Sequence, residues 1–266
     1  KNQIGKVTAI YVDVDTDEEI SYIDENGETK TYKEEMQGKV GEEYTTQVKD
    51  IPYYIYVEEK APDNAQGTYT PENIEVKYYY RKQTFNMGVE KKLSKVVLNG
   101  EEKNIVSNLT KIEIVADEIP NTNLTVEYVV KVTNNSEIEG TTDVIEKLPQ
   151  YFTITDGTSQ DWQEQQDGTL KLTVTLAPGE TKEYKVALKW NNGNNNLGVL
   201  TNLVQLSNVT NPANYAETTL EDNTSKVDLI VTVKTGGENL IPIIVTIFIS
   251  LTMITSGIVI IKRKVL

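Results

Sequence analysis

The feature that most constrains this chain is an uncharged hydrophobic run near its C-terminus, residues 240–261 (LIPIIVTIFISLTMITSGIVII). As a helix this run would be about 33 Å long, against a hydrocarbon core of about 30 Å, so it can cross a bilayer once. Residues 262–266 follow directly and begin with Lys-Arg-Lys. Positive charge marks the cytoplasmic side of a membrane helix. We therefore predict one C-terminal transmembrane helix, a short basic cytoplasmic tail, and an ectodomain outside the cell membrane.

A hydrophobic segment followed by basic residues resembles the sorting signal of sortase-anchored bacterial surface proteins. In that signal a Leu-Pro-any-Thr-Gly motif lies just upstream of the hydrophobic segment. The corresponding residues 233–237 (VKTGG) contain the Thr-Gly pair, Thr235-Gly236, but lack Leu-Pro. We therefore favour a retained membrane anchor over transfer to the cell wall, and cleavage at Thr235-Gly236 by a sortase-like enzyme is the alternative.

The chain contains no cysteine and no histidine. This composition excludes thiol nucleophiles, imidazole acid–base catalysis and the usual zinc sites. An extracellular protein without disulfides suits a Gram-positive cell surface better than an animal cell. The formal net charge of -14 argues against nucleic acid as a partner. We expect neither a cofactor nor a metal site.

An enzymatic role would require two carboxyl groups in a cleft, such as those of Asp143 and Glu146. Side chains alternate between the two faces of a strand, so a regular strand would send these two acids to opposite sides. We therefore expect a protein that is not an enzyme.

The first domain, residues 1–82, has the pattern of short strands and turns. Lys6 to Val14 and Ile74 to Arg81 alternate between apolar and polar residues, and Ile51 to Val57 is rich in β-forming residues. Residues 24–27 (DENG) indicate a hairpin turn. No stretch has a helical period, so we predict four or five strands in a small mixed sheet.

Five segments of this domain, in order, resemble the MucBP family, the mucin-binding-protein repeats of bacterial surface proteins. The matching segments are Val7 to Asp15, residues 38–46 (GKVGEEYTT), residues 51–54 (IPYY), residues 67–69 (GTY) and residues 76–80 (VKYYY). The resemblance implies a compact β-grasp-like fold and adhesion to a host mucin or another glycoprotein. It is also compatible with a spacer, because many such repeats fill that role.

Tyrosines are the candidate glycan-binding residues of the first domain, because an aromatic ring offers a flat apolar surface with a polar tip. The candidates are Tyr53, Tyr54, Tyr56, Tyr69 and Tyr79. Alternation puts Tyr78 and Tyr80 on one face of their strand and Tyr79 on the other, so some of these tyrosines must belong to the core.

The second domain, residues 83–236, shows strands separated by turn residues, a spacing typical of a β-sandwich. The predicted strands are Phe85 to Val97, Lys111 to Val115, Thr125 to Thr133, Thr142 to Glu146, Thr169 to Leu176, Thr181 to Lys189, Asn202 to Asn208 and Lys226 to Val233. Residues 85–91 (FNMGVEK), 127–134 (EYVVKVTN), 146–149 (EKLP), 176–181 (LAPGET) and 197–202 (LGVLTN) resemble the Ig-like conserved-repeat domains of bacterial surface proteins. The resemblance implies an Ig-like stalk unit, so the fold class is all-β with one transmembrane helix.

The same resemblance implies a candidate isopeptide bond, in which a lysine of the first strand condenses with an asparagine of a late strand beside an acid. Met87, Val89 and Lys91 share one face by alternation, which turns Lys91 inward and Lys92 outward. We therefore predict a Lys91–Asn202 bond promoted by Glu146. The alternative is a surface lysine and a turn asparagine without a bond.

Two functions are compatible with these features. The first is a membrane-anchored adhesin that binds host or mucus glycoprotein through the first domain, while the second domain is a spacer. The alternative is a structural stalk that presents domains lying further towards the N-terminus. The junction at residues 82–84 is short, so we expect limited flexing between the two domains.

Overall fold

The computed structural model describes residues 3–105 and 109–234. These residues form an all-β protein with two separate hydrophobic cores. Within these two ranges no helix is long and apolar enough to cross a membrane. The predicted membrane helix at 240–261, the basic tail at 262–266 and the Thr235-Gly236 pair lie outside the described residues.

The first domain contains eight strands around one small mixed sheet. The strands are β1 (Ile4–Asp13), β2 (Ser21–Ile23), β3 (Thr29–Thr31), β4 (Lys33–Lys39), β5 (Glu43–Thr45), β6 (Tyr54–Tyr56), β7 (Gln66–Thr68) and β8 (Ile74–Lys82). The main sheet has the order β4-β1-β8-β6, and only the central pair, β1 and β8, is parallel. Two hairpin-like pairs, β2-β3 and β5-β7, stand beside it. The mixed sheet was predicted.

The β-grasp-like expectation for this domain is met only in part. A β-grasp sheet packs against an α-helix, whereas residues 3–82 contain one short 3-10 helix, Glu58–Lys60, and no α-helix. This difference agrees with the sequence, in which no stretch of the domain has a helical period.

Tyrosine rings fill the core of the first domain. Buried aromatic rings of Tyr11 and Tyr78 stack with centroids 5.6 Å apart, and Tyr80 packs edge-on against Tyr11 at 6.1 Å. Their hydroxyl groups are all paired: Tyr11 donates to the Gln47 carbonyl, and Tyr78 shares a 2.8 Å hydrogen bond with Thr46. The rings can therefore be buried without leaving a polar group unpaired, which would be unfavourable.

The Tyr80 hydroxyl has the strongest set of bonds in this core. It donates to the carbonyl of Lys49 at 2.6 Å and accepts the Lys49 N–H at 2.9 Å. A single side chain thus fixes the backbone of the loop after β5 to the central strand β8.

The second domain is a β-sandwich of eleven strands. The strands are β9 (Met87–Leu98), β10 (Glu101–Glu102), β11 (Leu109–Ile114), β12 (Leu124–Asn134), β13 (Gly140–Lys147), β14 (Phe152–Ile154), β15 (Gln163–Glu164), β16 (Leu170–Leu176), β17 (Thr181–Trp190), β18 (Gly198–Thr210) and β19 (Thr224–Val233). Short 3-10 helices span Ala116–Asn121 and Glu221–Asn223. One sheet has the order β10-β9-β12-β17-β14 and the other β11-β19-β18-β13-β16-β15.

A single core lies between these two sheets. Strand β12 alternates strictly, with Val126, Val130 and Val132 among its fully buried residues, and β18 and β19 face it from the other sheet with Val204 and Leu229. This alternation is the pattern from which the sandwich was predicted.

The two domains are joined by a charged clamp. Both guanidinium nitrogens of Arg81, at the end of β8, donate to the Glu137 carboxylate at 2.8 Å, and the Thr84 N–H donates to the same carboxylate at 2.8 Å. Glu137 belongs to the loop between β12 and β13 of the second domain. Beside the clamp, the Tyr215 hydroxyl donates to the Tyr53 carbonyl at 3.4 Å. The contacts connect the domains on both sides of the junction at 82–84.

We predict that Tyr80→Phe destabilises the first domain by about 1–3 kcal/mol, because the Lys49 N–H and carbonyl lose their shared partner. Tyr79→Phe, on the opposite face of β8, is the matched control and should change stability little. Eleven of the fifteen tyrosines lie in the first domain, so tyrosine near-ultraviolet circular dichroism during denaturant unfolding reports mainly on that domain, while Trp162 and Trp190 report the second by fluorescence. Equal midpoints for the two variants would contradict a structural role of the Tyr80 hydroxyl.

We also predict that acid loosens the clamp. The Arg81 guanidinium lowers the pKa of Glu137 to about 2 from its usual 4.5. Because the pKa is lowered on folding, the contribution of Glu137 is complete above pH 4.5 and is lost as the pH falls towards 2. Since both side chains are partly exposed, we expect at most about 1 kcal/mol.

Spin labels can measure this loosening, because a chain without cysteine accepts two unique labels. Glu25→Cys and Gln166→Cys place one label on an exposed residue of each domain. The distance distribution at neutral pH should broaden with Glu137→Gln and stay unchanged with the exposed control Glu139→Gln. A Glu137→Gln distribution identical to that of the control would show that the clamp does not set the domain orientation.

Candidate functional site

Lys91 lies in the core of the sandwich, as alternation predicts. Strand β9 pairs with β12, where Lys91 stands opposite Val130, and its backbone N–H donates to the Ser225 hydroxyl of β19 at 3.0 Å. Its side chain is fully buried, whereas the next lysine, Lys92, is exposed and pairs with Glu90. The first strand therefore presents one amine to the interior.

Glu146 meets this amine from the opposite sheet. The Lys91 Nζ lies 2.5 Å from Oε1 of Glu146, and both side chains are inaccessible to solvent. Three residues earlier on β13, Asp143 points to the other face and pairs with Lys171 at 2.8 Å. The two acids thus lie on opposite sides of β13, which is the arrangement that alternation predicted.

Burial pushes both members of the pair towards their neutral forms. Removal from water lowers the pKa of the Lys91 amine and raises the pKa of the Glu146 carboxyl, while their mutual attraction opposes both shifts. Taking two charges out of water is unfavourable unless every lone pair is satisfied, and Oε2 of Glu146 has no hydrogen-bond partner in the described ranges. Transfer of the proton from Lys91 to Glu146 therefore gives a neutral amine beside a neutral acid.

Asn202 is the third member of the site. It lies on β18 opposite Val227 of β19, is completely buried, and its side chain adjoins those of Glu146 and Tyr128. Neither its amide nitrogen nor its amide oxygen makes a hydrogen bond of good geometry to the residues that the structure describes. A buried amide with two unpaired atoms is rare in a folded protein and needs a physical reason.

Tyr128 completes the site, and sequence reasoning missed it. Its ring lies under the Lys91 amine, with the Nζ atom 5.0 Å from the ring centroid. The residue is fully buried, and its hydroxyl adjoins the Asn202 side chain but makes no hydrogen bond of good geometry within 3–105 and 109–234. The alternation of β12 does turn Tyr128 inward together with Val126 and Val130. Only the pairing of β9 with β12 brings it beside Lys91.

This arrangement contains the parts of an amide exchange. A buried amine is the nucleophile, a buried carboxyl group can carry protons, and the Asn202 side chain supplies an amide carbon. The structure thus brings together Lys91, Glu146 and Asn202, which were the predicted isopeptide residues.

The candidate glycan-binding tyrosines do not form one open surface. Tyr69 is 7% exposed and contacts the Tyr44 ring within the core, so its ring is not available to a sugar. Tyr56 is half-buried against Tyr78 and Tyr80. The prediction of Tyr69 as a glycan-binding residue is therefore corrected, because the small sheet needs this ring to fill its own core.

The remaining candidates lie apart from each other. Tyr79 is half-buried on the outer face of β8, where the Lys60 amine lies 5.1 Å from its ring centroid. Tyr53 is 39% exposed and has a positive φ of 67°, and it lies with Tyr54 next to Tyr215 at the junction. Tyr53 is thus the most accessible ring among the five.

Comparison with known proteins assigns the first domain. Residues 6–81 match the model of the MucBP domain. A 63-residue segment is 38% identical to Internalin J of Listeria monocytogenes serotype 4b (strain F2365), and the same identity holds for the Internalin J of Listeria monocytogenes serovar 1/2a (strain ATCC BAA-679 / EGD-e). The match covers 24% of this chain and 7% of the length of each internalin.

Solved structures give only distant similarities. The major pilin subunit BcpA of Bacillus cereus aligns with 86% of this chain and 69% of its own at 13% identity and a TM-score of 0.34. The CARDB domain of PF1109 from Pyrococcus furiosus aligns with 56% of this chain and 89% of its own at 18% identity and a TM-score of 0.30. Neither similarity is strong enough to decide the fold or the function. The family match to residues 6–81 is the firm result, and it identifies the first domain as a MucBP domain.

Proposed function

We propose that this chain is a load-bearing part of a bacterial cell-surface protein, in which a Lys91–Asn202 isopeptide bond braces the second domain. The observation that carries this proposal is the fully buried Lys91–Glu146 pair beside an Asn202 amide that makes no hydrogen bond of good geometry to the described residues. An ion pair kept only for stability would be expected to have its remaining oxygen satisfied. A chemical reaction between these groups therefore explains the arrangement better than a purely structural role.

The proposed reaction requires no partner from outside the chain. Lys91 transfers a proton to Glu146, and its neutral Nζ attacks Cγ of Asn202. The bond from Cγ to Nδ2 breaks as Glu146 gives its proton to the departing nitrogen, which leaves as ammonia. The Glu146 carboxylate then takes the second proton from Nζ, so that the new amide is neutral. One amide replaces another and nothing is oxidised or reduced. Because it happens once in each chain, we propose no turnover and no enzymatic role.

The position of the bond explains its value to a surface protein. Force enters the sandwich through β9, next to the first domain, and leaves through β19, which continues towards the predicted membrane helix. A bond from β9 to β18 makes the force bypass residues 92–201. The residues between the attachment points cannot be extended, and the bond also restricts the unfolded chain, as a disulfide does. A chain without cysteine has no disulfide for this purpose.

We predict that the chain has lost the mass of one ammonia relative to its sequence, and that digestion releases a branched peptide joining Lys91 to Asn202. The variants Lys91→Met, Asn202→Ala and Glu146→Gln should keep the full mass. Lys92→Met, which changes the exposed neighbour, should still lose ammonia. High-resolution mass spectrometry measures all of these masses, and an unmodified chain with its full sequence mass would contradict the proposed bond.

The MucBP match favours a second role, adhesion through the first domain. We propose that the domain is held outside the cell, above a single-pass membrane helix at 240–261, where it binds host mucin or another glycoprotein. Tyr53 is the side chain that supports this role best, because its ring is partly exposed. The remaining tyrosine candidates are buried or half-buried.

We predict saturable binding of the detergent-solubilised chain to immobilised mucin, weakened by Tyr53→Gly. Glycine tolerates the positive φ at this position, so the substitution removes the ring without backbone strain. Tyr22→Gly removes a ring of similar exposure, 41% against 39%, from the β2-β3 hairpin and is the control. Surface plasmon resonance measures both. No binding by the unmodified chain would reject adhesion to mucin and leave the stalk role.

A further inference from the structure

The Tyr128 hydroxyl is a buried polar group without an evident structural reason. A phenylalanine would supply the same ring to the core between the sheets and would leave no donor unpaired. Burying a hydroxyl without a hydrogen bond is unfavourable, and such groups in folded proteins call for an explanation. The explanation must come from what surrounds the hydroxyl.

Unpaired polar atoms are concentrated at this one place. Among the described residues, eight buried side-chain polar atoms have no hydrogen-bond partner. Four of the eight belong to three neighbouring residues: the Tyr128 hydroxyl, Oε2 of Glu146, and both amide atoms of Asn202. The Lys91 amine contacts Glu146 directly and lies over the Tyr128 ring, and the Asn202 side chain adjoins both Glu146 and Tyr128. This concentration of unpaired atoms indicates that the three residues are arranged for a chemical reaction at the site.

The proposed condensation creates a need for one more hydrogen-bond donor. Attack of Lys91 on Cγ of Asn202 moves negative charge onto Oδ1 of the amide. Glu146 has its single proton committed to the exchange between the two nitrogens. A neutral donor next to the amide would stabilise the developing charge, and such a donor is most effective where water is excluded. The Tyr128 side chain adjoins the Asn202 amide, and burial keeps it protonated by raising its pKa.

We propose that Tyr128 is a catalytic group of the Lys91–Asn202 condensation, with its hydroxyl donating a hydrogen bond to Oδ1 of Asn202 as negative charge develops there. This inference rests on the cross-link proposed above. The ring has a second role, because an aromatic face attracts the protonated Lys91 amine and holds it beside the amide before the proton leaves.

The test compares the rate of bond formation in the unmodified chain and in Tyr128→Phe. Full-length chains are labelled in a short synthesis pulse, samples are quenched over time, and the branched Lys91–Asn202 peptide is quantified by mass spectrometry. Loss of an oxyanion donor slows such reactions by about 100-fold or more. We expect that order of slowing for Tyr128→Phe.

The matched control is Thr110→Val on the edge strand β11 of the same sandwich, which removes another buried hydroxyl that has no hydrogen-bond partner among the described residues. Its rate should equal that of the unmodified chain. Stability is compared in a Lys91→Met background, where no bond can form, and there Tyr128→Phe should be neutral or stabilising because an unpaired group is removed. A slower reaction without a loss of stability separates a catalytic role from a structural one.

Each other outcome has a definite meaning. Equal rates in the unmodified chain and Tyr128→Phe, with the bond present in both, would overturn the role of Tyr128 and leave the cross-link intact. A Tyr128→Phe chain that fails to fold, judged by tryptophan fluorescence, would also overturn it, because the hydroxyl would then be a structural group. Absence of the bond in the unmodified chain would reject the cross-link itself.

Discussion

The burial of one amine and one carboxyl group between two sheets is the constraint on which the second domain depends. Lys91 comes from β9 of one sheet and Glu146 from β13 of the other, and their contact of 2.5 Å fixes how the sheets face each other. Such a pair is a weak source of stability, because removing both charges from water offsets most of their attraction. Within the part of the chain that the structure describes, the neighbouring Asn202 and Tyr128 also have polar atoms without a hydrogen bond of good geometry. The proposed conversion of the amine and the amide into a new amide would remove the charge and would give the fold a reason to retain these groups.

The first domain also buries polar groups in its core, but these groups are tyrosine hydroxyls and not a charged pair. It has few large aliphatic residues, and tyrosine rings fill its core, with hydroxyl groups tied to backbone carbonyls of the loops, as in Tyr80 with Lys49. Rings such as Tyr11 and Tyr80 therefore contribute apolar area and also hold a loop in place. The clamp between Arg81 and Glu137 then holds the first domain in its orientation relative to the sandwich. Neither domain uses a disulfide, because the chain contains no cysteine.

Alternation made much of this architecture predictable. It placed Lys91 inside and Lys92 outside, set Asp143 and Glu146 on opposite faces, and located all eight of the strands expected in the sandwich. Alternation did not predict strands whose residues are mostly exposed. One such strand is β4, an edge strand with the sequence KEEMQGK. The strand expected from Ile51 to Val57 is reduced to Tyr54–Tyr56, since Tyr53 turns the chain with a positive φ. The neighbours of Tyr69 and Tyr128 could not be predicted from the local pattern, because these neighbours come from strands distant in sequence.

Single-molecule stretching measures the central claim most directly, by pulling the chain from the first domain and from residues just after β19. With a Lys91–Asn202 bond, the 110 residues from 92 to 201 stay closed under force. We predict that unfolding of the second domain lacks their contour length, about 370–400 Å at 3.3–3.6 Å per residue, and that Lys91→Met restores it. Release of the whole length by the unmodified chain would contradict a load-bearing cross-link.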